Sequence, residues 1–290
     1  MRLSRRNLFR LGILGVVGLL GGYGYYRGLS PQLEQVDIKL DLLPASFNGL
    51  KIVQLSDMHS SRLTSEDIIR KGVDLALECR PDIVALTGDF ITASSLFAWG
   101  KIGGFKKSDL DRCLNALSRL SAPMGIYAVL GNHDVWSGKA ETEKIVEGLK
   151  DIGVRVLRNE SVILEKNGER IGLAGVDDYW ASTFNLKRAV EGLPPGVAIL
   201  LSHNPDINEQ INLVDRQVDF ILSGHTHGGQ VVLPFIGAPF LPSPFGQKYR
   251  AGLVRDQNHQ TYVSRGLGLY LAPIRLNCPP EVTCFKLRRT

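Results

Sequence analysis

Six histidines occur in the 290-residue chain, and five of them, His59, His133, His203, His225 and His227, stand at the polar ends of apolar runs. Asp57, Asp89 and Asn132 occupy similar places beside them. One such imidazole would be an ordinary hydrogen-bonded residue; five, with two carboxylates and an amide, make a ligand set. Carboxylate, imidazole and amide oxygen together suit Mn, Fe, Zn or a similar divalent ion, and donor type alone does not choose among them. No thiolate belongs to the group, which argues against a structural zinc site. Two cations about 3.5 to 4 Å apart would clamp the attacking and leaving oxygens of an in-line displacement.

The elements that must position these groups show as hydrophobic patterning. Leu50 to Leu55 runs into Ser56-Asp57-Met58-His59, Asp82 to Leu86 into Thr87-Gly88-Asp89, and Ile126 to Leu130 into Gly131-Asn132-His133-Asp134. Val197 to Leu201 leads to Ser202-His203, and Val218 to Leu222 to Ser223-Gly224-His225-Thr226-His227. Continuous apolar runs fit strands buried on both faces. Five strands with polar carboxyl ends point to one shared crevice of an α/β fold. Helices are predicted from a cap at Thr64 to Cys79, over Asp109 to Leu120 and Lys139 to Leu149, and from Pro205 onward. Val154 to Leu157, Ser161 to Glu165, Arg170 to Leu173, Thr261 to Ser264 and Val282 to Leu287 predict additional antiparallel strands. His259 reads as a hairpin-turn residue, and Tyr179 and Trp180 as core or as a surface on which a base could stack.

With 44% hydrophobic and 22% charged residues, the chain has the composition of a folded protein, and it is long enough to build a core without disulfides. Its four cysteines, Cys79, Cys113, Cys278 and Cys284, are widely spaced and read as buried thiols. The net charge of +5 sits at the start: Arg2, Arg5, Arg6, Arg10 and Arg27 are the only charged residues before position 31. Removing those five from the 34 basic residues leaves 29, against 29 acidic ones. The remainder is neutral and lacks the footprint of a nucleic-acid binder, so no nucleic acid is expected as a partner. Leu11 to Tyr26 carries no charge and spans about 24 Å as a helix, against a bilayer core of about 30 Å. Its many glycines and lack of a polar face argue against a soluble core helix. Ser4-Arg5-Arg6-Asn7-Leu8-Phe9-Arg10 resembles the twin-arginine signal that sends folded proteins across the bacterial membrane, so the twin-arginine translocase is an expected partner. No Ala precedes Ala45, which predicts an uncleaved anchor. The positive-inside rule keeps the arginines cytoplasmic and places the rest outside.

Asp57-Met58-His59, Gly88-Asp89, Gly131-Asn132-His133-Asp134, His203 and Gly224-His225-Thr226-His227, in this order over about Lys51 to His227, resemble the full motif series of the calcineurin-like metallophosphoesterases. Gly224 to Gln230, Pro244 to Leu253 and Arg275 to Val282 resemble the twin-arginine, membrane-associated bacterial branch of that family. The resemblance implies a four-layer α-β-β-α sandwich of two mixed sheets. Residues 1–30 would be the signal and membrane anchor, 31–48 a linker with a lead-in strand, and 49–290 the metallophosphoesterase domain. It also implies two divalent metal ions per chain, with manganese favoured and iron or zinc as alternatives. Asp57, His59 and His227 would hold one, Asn132, His203 and His225 the other, and Asp89 would bridge. A carboxylate has two oxygens to share, which suits that role. Extended alternation at His225-Thr226-His227 would send the two rings to different metals.

In the same reading His133 stands over the phosphate, stabilises its charge and protonates the departing oxygen, while a hydroxide held by the cations attacks phosphorus. Asp134 either orients His133 or braces the loop. Arg250, Arg265 and Arg275 are candidate phosphate clamps. The implied activity is phosphodiester hydrolysis at the bacterial cytoplasmic membrane, with the domain on the outer side. One alternative is a UDP-2,3-diacylglucosamine pyrophosphatase of lipid A synthesis at the cytosolic face; another is a membrane-tethered binding protein without turnover. Two apolar stretches, Phe90 to Lys107 and Pro234 to Pro244, either pack on the fold or meet an acyl chain or the membrane. The anchor and these loops favour an amphiphilic phosphate compound as substrate.

Overall fold

The computed structural model describes residues 18, 21–93, 105–181, 184–270 and 272–290. Among these, twelve strands form two six-stranded sheets. The first runs in the order β1 (Gln32–Leu40), β12 (Glu281–Arg289), β2 (Lys51–Leu55), β3 (Ile83–Thr87), β4 (Ile126–Val129) and β5 (Val154–Val156). Neighbours are parallel except β12 and β2. The second runs β10 (Gly252–Arg255), β11 (Gln260–Val263), β9 (Phe220–Ser223), β8 (Ala198–Leu201), β7 (Glu169–Gly175) and β6 (Glu160–Lys166). Its two outermost pairs are antiparallel and the inner ones parallel.

Three apolar clusters make this four layers. The middle one joins Ile52, Ile83 and Val129 of the first sheet to Leu173, Ile199, Phe220 and Leu222 of the second. On the first sheet's outer face, helices Glu66–Glu78, Lys107–Leu117 and Lys139–Asp151 bury Val73, Leu110, Cys113 and Leu149 against Val53, Val84 and Ala128. Helix Leu186–Glu191 and the 3-10 stretch Pro205–Leu213 cover the second sheet through Val190, Ile207 and Ile211. Helix Glu66–Glu78 illustrates the logic. Ile68, Ile69, Gly72, Val73 and Ala76 recur at helical spacing and are its buried face, and Glu66 and Asp67 complement the positive end of its dipole.

Two sequence expectations, the cap of the first of these helices and the direction of three strands, are revised. Ser65, not Thr64, is the helix cap; the Thr64 hydroxyl instead accepts the amide of Leu269 at 2.8 Å. β5 was expected to be antiparallel but pairs parallel with β4, and β11 and β12 each have one parallel neighbour. The 31–48 segment contributes a nine-residue strand, β1, held along its whole length by β12. All four cysteines are free and buried.

The twin-arginine start, most of Leu11 to Tyr26 and residues 94–104 of the first apolar loop lie outside the described residues. The chain is helical over 21–28. Among the described residues no helix is long and apolar enough to cross a membrane.

Candidate metal centre

β2, β3, β4, β8 and β9 end side by side, and the chain turns sharply after each. Asp57 (φ 52°), His59 (43°), Asp89 (54°), His225 (72°) and His227 (51°) all adopt left-handed backbone. Non-glycine residues there cost of order 1–3 kcal/mol each and persist where the surroundings over-determine them. Here they are pinned: Asp57 N–H donates to Gly88 O and His59 N–H to Asp89 O, both at 2.9 Å. Extended alternation therefore does not separate His225 from His227; two left-handed residues flanking a helical Thr226 do so. Beneath them the buried Gln54 amide bridges the sheets, donating to Thr87 Oγ1 at 2.8 Å and Ser223 O at 2.9 Å. Two glycines keep the space open. A Cβ on Gly131 would fall onto the Asp89 carboxylate, and one on Gly224 onto Ser56 Oγ and the Asp57 carboxylate.

The structure brings Asp57, His59, Asp89, Asn132, His203, His225 and His227 together, each at most 5% exposed. Ligand atoms of Asp57, His59 and His227 lie within 4.8 Å of one another. A second group gathers around His203 Nε2, with Asn132 Oδ1 at 3.1 Å, His225 Nδ1 at 3.3 Å and Asp89 Oδ2 at 3.3 Å. Asp89 Oδ2 is also 3.2 Å from His59 Nε2, so one oxygen stands between the groups. The other, Oδ1, accepts the His133 amide at 2.8 Å.

These donors fit divalent cations on two counts. His203 Nδ1 donates to Thr87 O at 2.7 Å and His225 Nε2 to Pro242 O at 3.0 Å, since a carbonyl can only accept. When each ring is neutral, its other nitrogen carries a lone pair aimed at the cluster, as ligating histidines require; on His203 a cation would first displace the proton described below. His59 Nε2, in turn, is buried and, apart from the Asp89 oxygen 3.2 Å away, has no hydrogen-bond partner among the described residues.

Electrostatics point the same way. Burial, only partly offset by Asp89, lowers His133 to about 4, and burial together with neighbouring His203 lowers His225 to about 3. Burial, His59 and Arg275 hold His227 well below the usual imidazole range. These rings are neutral at pH 7. For Asp89, burial is outweighed by His203, His133 and His59, which hold its carboxyl well below the usual range. His203, against its own burial, is raised well above the usual value by Asp89 and Asp57. A proton on His203 thus supplies the positive charge that a cation would otherwise bring.

Of the two roles expected for Asp134, the structure shows the brace. Its carboxylate accepts backbone N–H groups from Asp89 (2.8 Å), Gly131 (2.9 Å), Phe90 (2.9 Å) and Ile91 (3.4 Å). His133 is grouped with His59 and Asp89, and its Nδ1 has no hydrogen-bond partner among the described residues. The three arginines proposed as clamps do not line the pocket. Arg265 pairs with Glu34 and Glu281. Arg275 is fully buried and donates to the carbonyls of Gly268 (2.6 Å), Gly266 (3.3 Å), Cys278 (3.3 Å) and His227 (3.4 Å), bracing the turn that carries His227.

The cluster floors a pocket of about 520 Å³ walled by Trp136, Trp180, Tyr270 and the Phe240–Pro244 loop. Trp180 stands edge-on to His225 at 4.5 Å, whereas Tyr179 packs on Phe184 in the outer core. Tyr270 stacks on His59 at 5.3 Å and meets His133 edge-on at 4.9 Å. Sequence reasoning missed Tyr270, which belongs to no ligand pattern. Trp136 carried a usable signal: it lies three residues after His133 in helix Asn132–Trp136, a spacing that sets side chains together, and the rings are 5.3 Å apart. His259 does close the β10–β11 hairpin but is buried, with Nε2 2.7 Å from Asn208 Oδ1.

Residues 50–229 match the sequence profile of the calcineurin-like phosphoesterases, and the chain belongs to that family. It is 35% identical to the uncharacterized metallophosphoesterase YkuE of Bacillus subtilis (strain 168), over 100% of this chain and 99% of that protein. It is 32% identical to the phosphodiesterase YaeI of Escherichia coli (strain K12), over 98% and 99%. A transmembrane protein with metallophosphoesterase domain from Danio rerio is 30% identical, over 97% of this chain and 63% of its own length.

Proposed function

We propose that the protein is a metal-dependent phosphodiesterase that acts on an amphiphilic phosphodiester at the bacterial cytoplasmic membrane, anchored by its N-terminal segment with the domain on the outer side. The observation that carries the catalytic part is Asp89 Oδ2 lying 3.2 Å and 3.3 Å from imidazoles of two separate donor groups. Asp57, His59 and His227 would hold one cation, Asn132, His203 and His225 the other, and Asp89 would touch both. Divalent ions so held neutralise phosphoryl oxygens and make water more acidic.

The rest falls to this chain's own groups. His133 is neutral at pH 7 and so carries one N–H, which can donate to a phosphoryl or leaving oxygen at the pocket floor. Trp136, Trp180 and Tyr270 exclude water from the reacting end, and the Phe240–Pro244 wall offers an apolar surface to the rest of the substrate. The description of the E. coli relative as a phosphodiesterase supports the reaction class. The basic start and uncharged stretch that follow the export-signal layout support the location.

Purified protein assayed with Mn and with EDTA, on bis(p-nitrophenyl) phosphate and on the monoester, tests the reaction. Chelator-sensitive turnover with preference for the diester is expected. No metal-dependent turnover on either compound would leave a tethered binding protein as the surviving reading.

A further inference from the structure

From Gly228 to Gln247 the chain holds twenty residues without Asp, Glu, Lys or Arg. Part of this run walls the pocket, but its tip does not. Leu233 and Gly237 exchange backbone hydrogen bonds at 2.8 and 3.0 Å, closing a tight hairpin that projects Pro234-Phe235-Ile236. Phe235 is 109% exposed and Ile236 68%, with Phe240 57% exposed behind them. Phe235 also takes left-handed backbone (φ 65°), an unfavourable choice for a bulky residue. A soluble surface gains nothing from two large apolar side chains held at such a point.

What lies beside the hairpin identifies the occupant. Val232 N–H donates to Leu276 O, and Leu276 N–H to Gln230 O. The next residue back, Arg275, donates its amide to Gly24 O at 3.0 Å in the helical stretch 21–28. Gly24 and Gly28, one turn apart, form the docking face of that stretch: a Cβ on Gly24 would meet Ile274, and one on Gly28 would meet Leu269. Tyr23, Tyr25 and Tyr26 point away from it, 50 to 66% exposed. Tyrosine is enriched at the headgroup level of membranes. Residues 21–26 of this stretch are the end of the uncharged Leu11–Tyr26 segment, so that end of the part with membrane character in its sequence is docked to the strip that carries the hairpin.

We infer that the Phe235–Ile236 hairpin is a second membrane contact, inserting into the interfacial layer of the same bilayer that receives the N-terminal segment, and that the pocket mouth thereby sits at lipid headgroup level. The inference rests on the membrane association proposed above. It adds that two points, the helical stretch 21–28 and the hairpin, fix the domain's orientation, with the Phe240–Pro244 wall between bilayer and metal centre. A lipid phosphodiester could then present its headgroup without leaving the leaflet.

The test uses the full chain. The native cysteines are buried, so Ile236→Cys, Phe235→Cys and the control Asn258→Cys, at an exposed residue of the β10–β11 turn, can each be labelled with an environment-sensitive nitrobenzoxadiazole dye. Each protein is reconstituted in phosphatidylethanolamine–phosphatidylglycerol vesicles with nitroxide on the lipid acyl chains. Blue-shifted emission and several-fold stronger quenching at 235 and 236 than at 258 are expected. Equal quenching at all three positions would overturn the inference. A blue shift without nitroxide quenching, growing with protein concentration, would also overturn it and assign the tip to a second copy. Neither readout requires turnover, so failure of the phosphodiesterase reading would register separately.

Discussion

The carboxylate of Asp134 accepts the backbone N–H of Asp89 at 2.8 Å and so fixes the residue that stands between the two donor groups without touching either. It does this from the turn that also carries Asn132 and His133. Two strand ends are thereby set in register by one side chain.

Replacing Asp134 with Ala leaves buried amide donors at Asp89, Gly131 and Phe90 without their acceptor. Unsatisfied buried donors cost roughly 1–3 kcal/mol each, so a loss of roughly 3 kcal/mol or more is expected. Chemical denaturation checks this. Stability within 1 kcal/mol of the parent would show that the brace is not needed.

Asp89→Ala is expected to bind fewer than two metal ions per chain, because a ligand placed between both groups is gone. Elemental analysis after gel filtration measures it. Full occupancy would refute the bridging role.

His133→Ala should keep its metal content while kcat on bis(p-nitrophenyl) phosphate falls about 10²- to 10³-fold, the usual range for a lost hydrogen-bond donor to developing negative charge. Metal loss in step with activity would instead make His133 a ligand.

Gly131→Ala places a methyl group onto the Asp89 carboxylate. Metal affinity should drop at least tenfold while the far-ultraviolet circular dichroism spectrum stays that of the parent. Unchanged affinity would mean that the Asp89 loop gives way at no cost.

Metal uptake should release protons, because Asp89 and Asp57 hold His203 protonated in the metal-free protein and a ligating imidazole must be neutral. Affinity therefore rises with pH through the neutral range. Calorimetry in two buffers of different ionisation enthalpy reads the proton count directly; equal heats would show that none is released.

The ligand candidates were legible because each follows an apolar run, and a strand buried on both faces leaves its chemistry no place but the end. The core strands β2, β3, β4, β8 and β9 were predicted within two residues for the same reason. β10 (GLVR) escaped notice because four partly exposed residues give too short a pattern, and β5 was misassigned because strand direction is a property of the partner. Asp134 was ambiguous since a carboxylate serves equally as orienter or acceptor until its neighbours are known. Arg275 looked like a phosphate clamp by type, yet its guanidinium is spent on carbonyls from a segment that folds around it. Tyr270 was invisible: its position depends on Gln230, whose side chain accepts its amide at 2.8 Å from forty residues away.

β12 occupies the interior of the first sheet, between β1 and β2, pairing Gln32 with Glu281 at one end and Lys286 with Lys51 on its other side. During synthesis, therefore, β1 emerges from the ribosome about 250 residues before β12, its only partner among the described residues, and β2 waits with an open edge. Pairing over such a separation is slow, and open edges invite association with other chains. A nascent chain would need to be kept apart from its neighbours until residue 289 is free. A premature stop anywhere before Glu281 would remove an inner strand, leave both neighbours exposed and commit the product to degradation or aggregates.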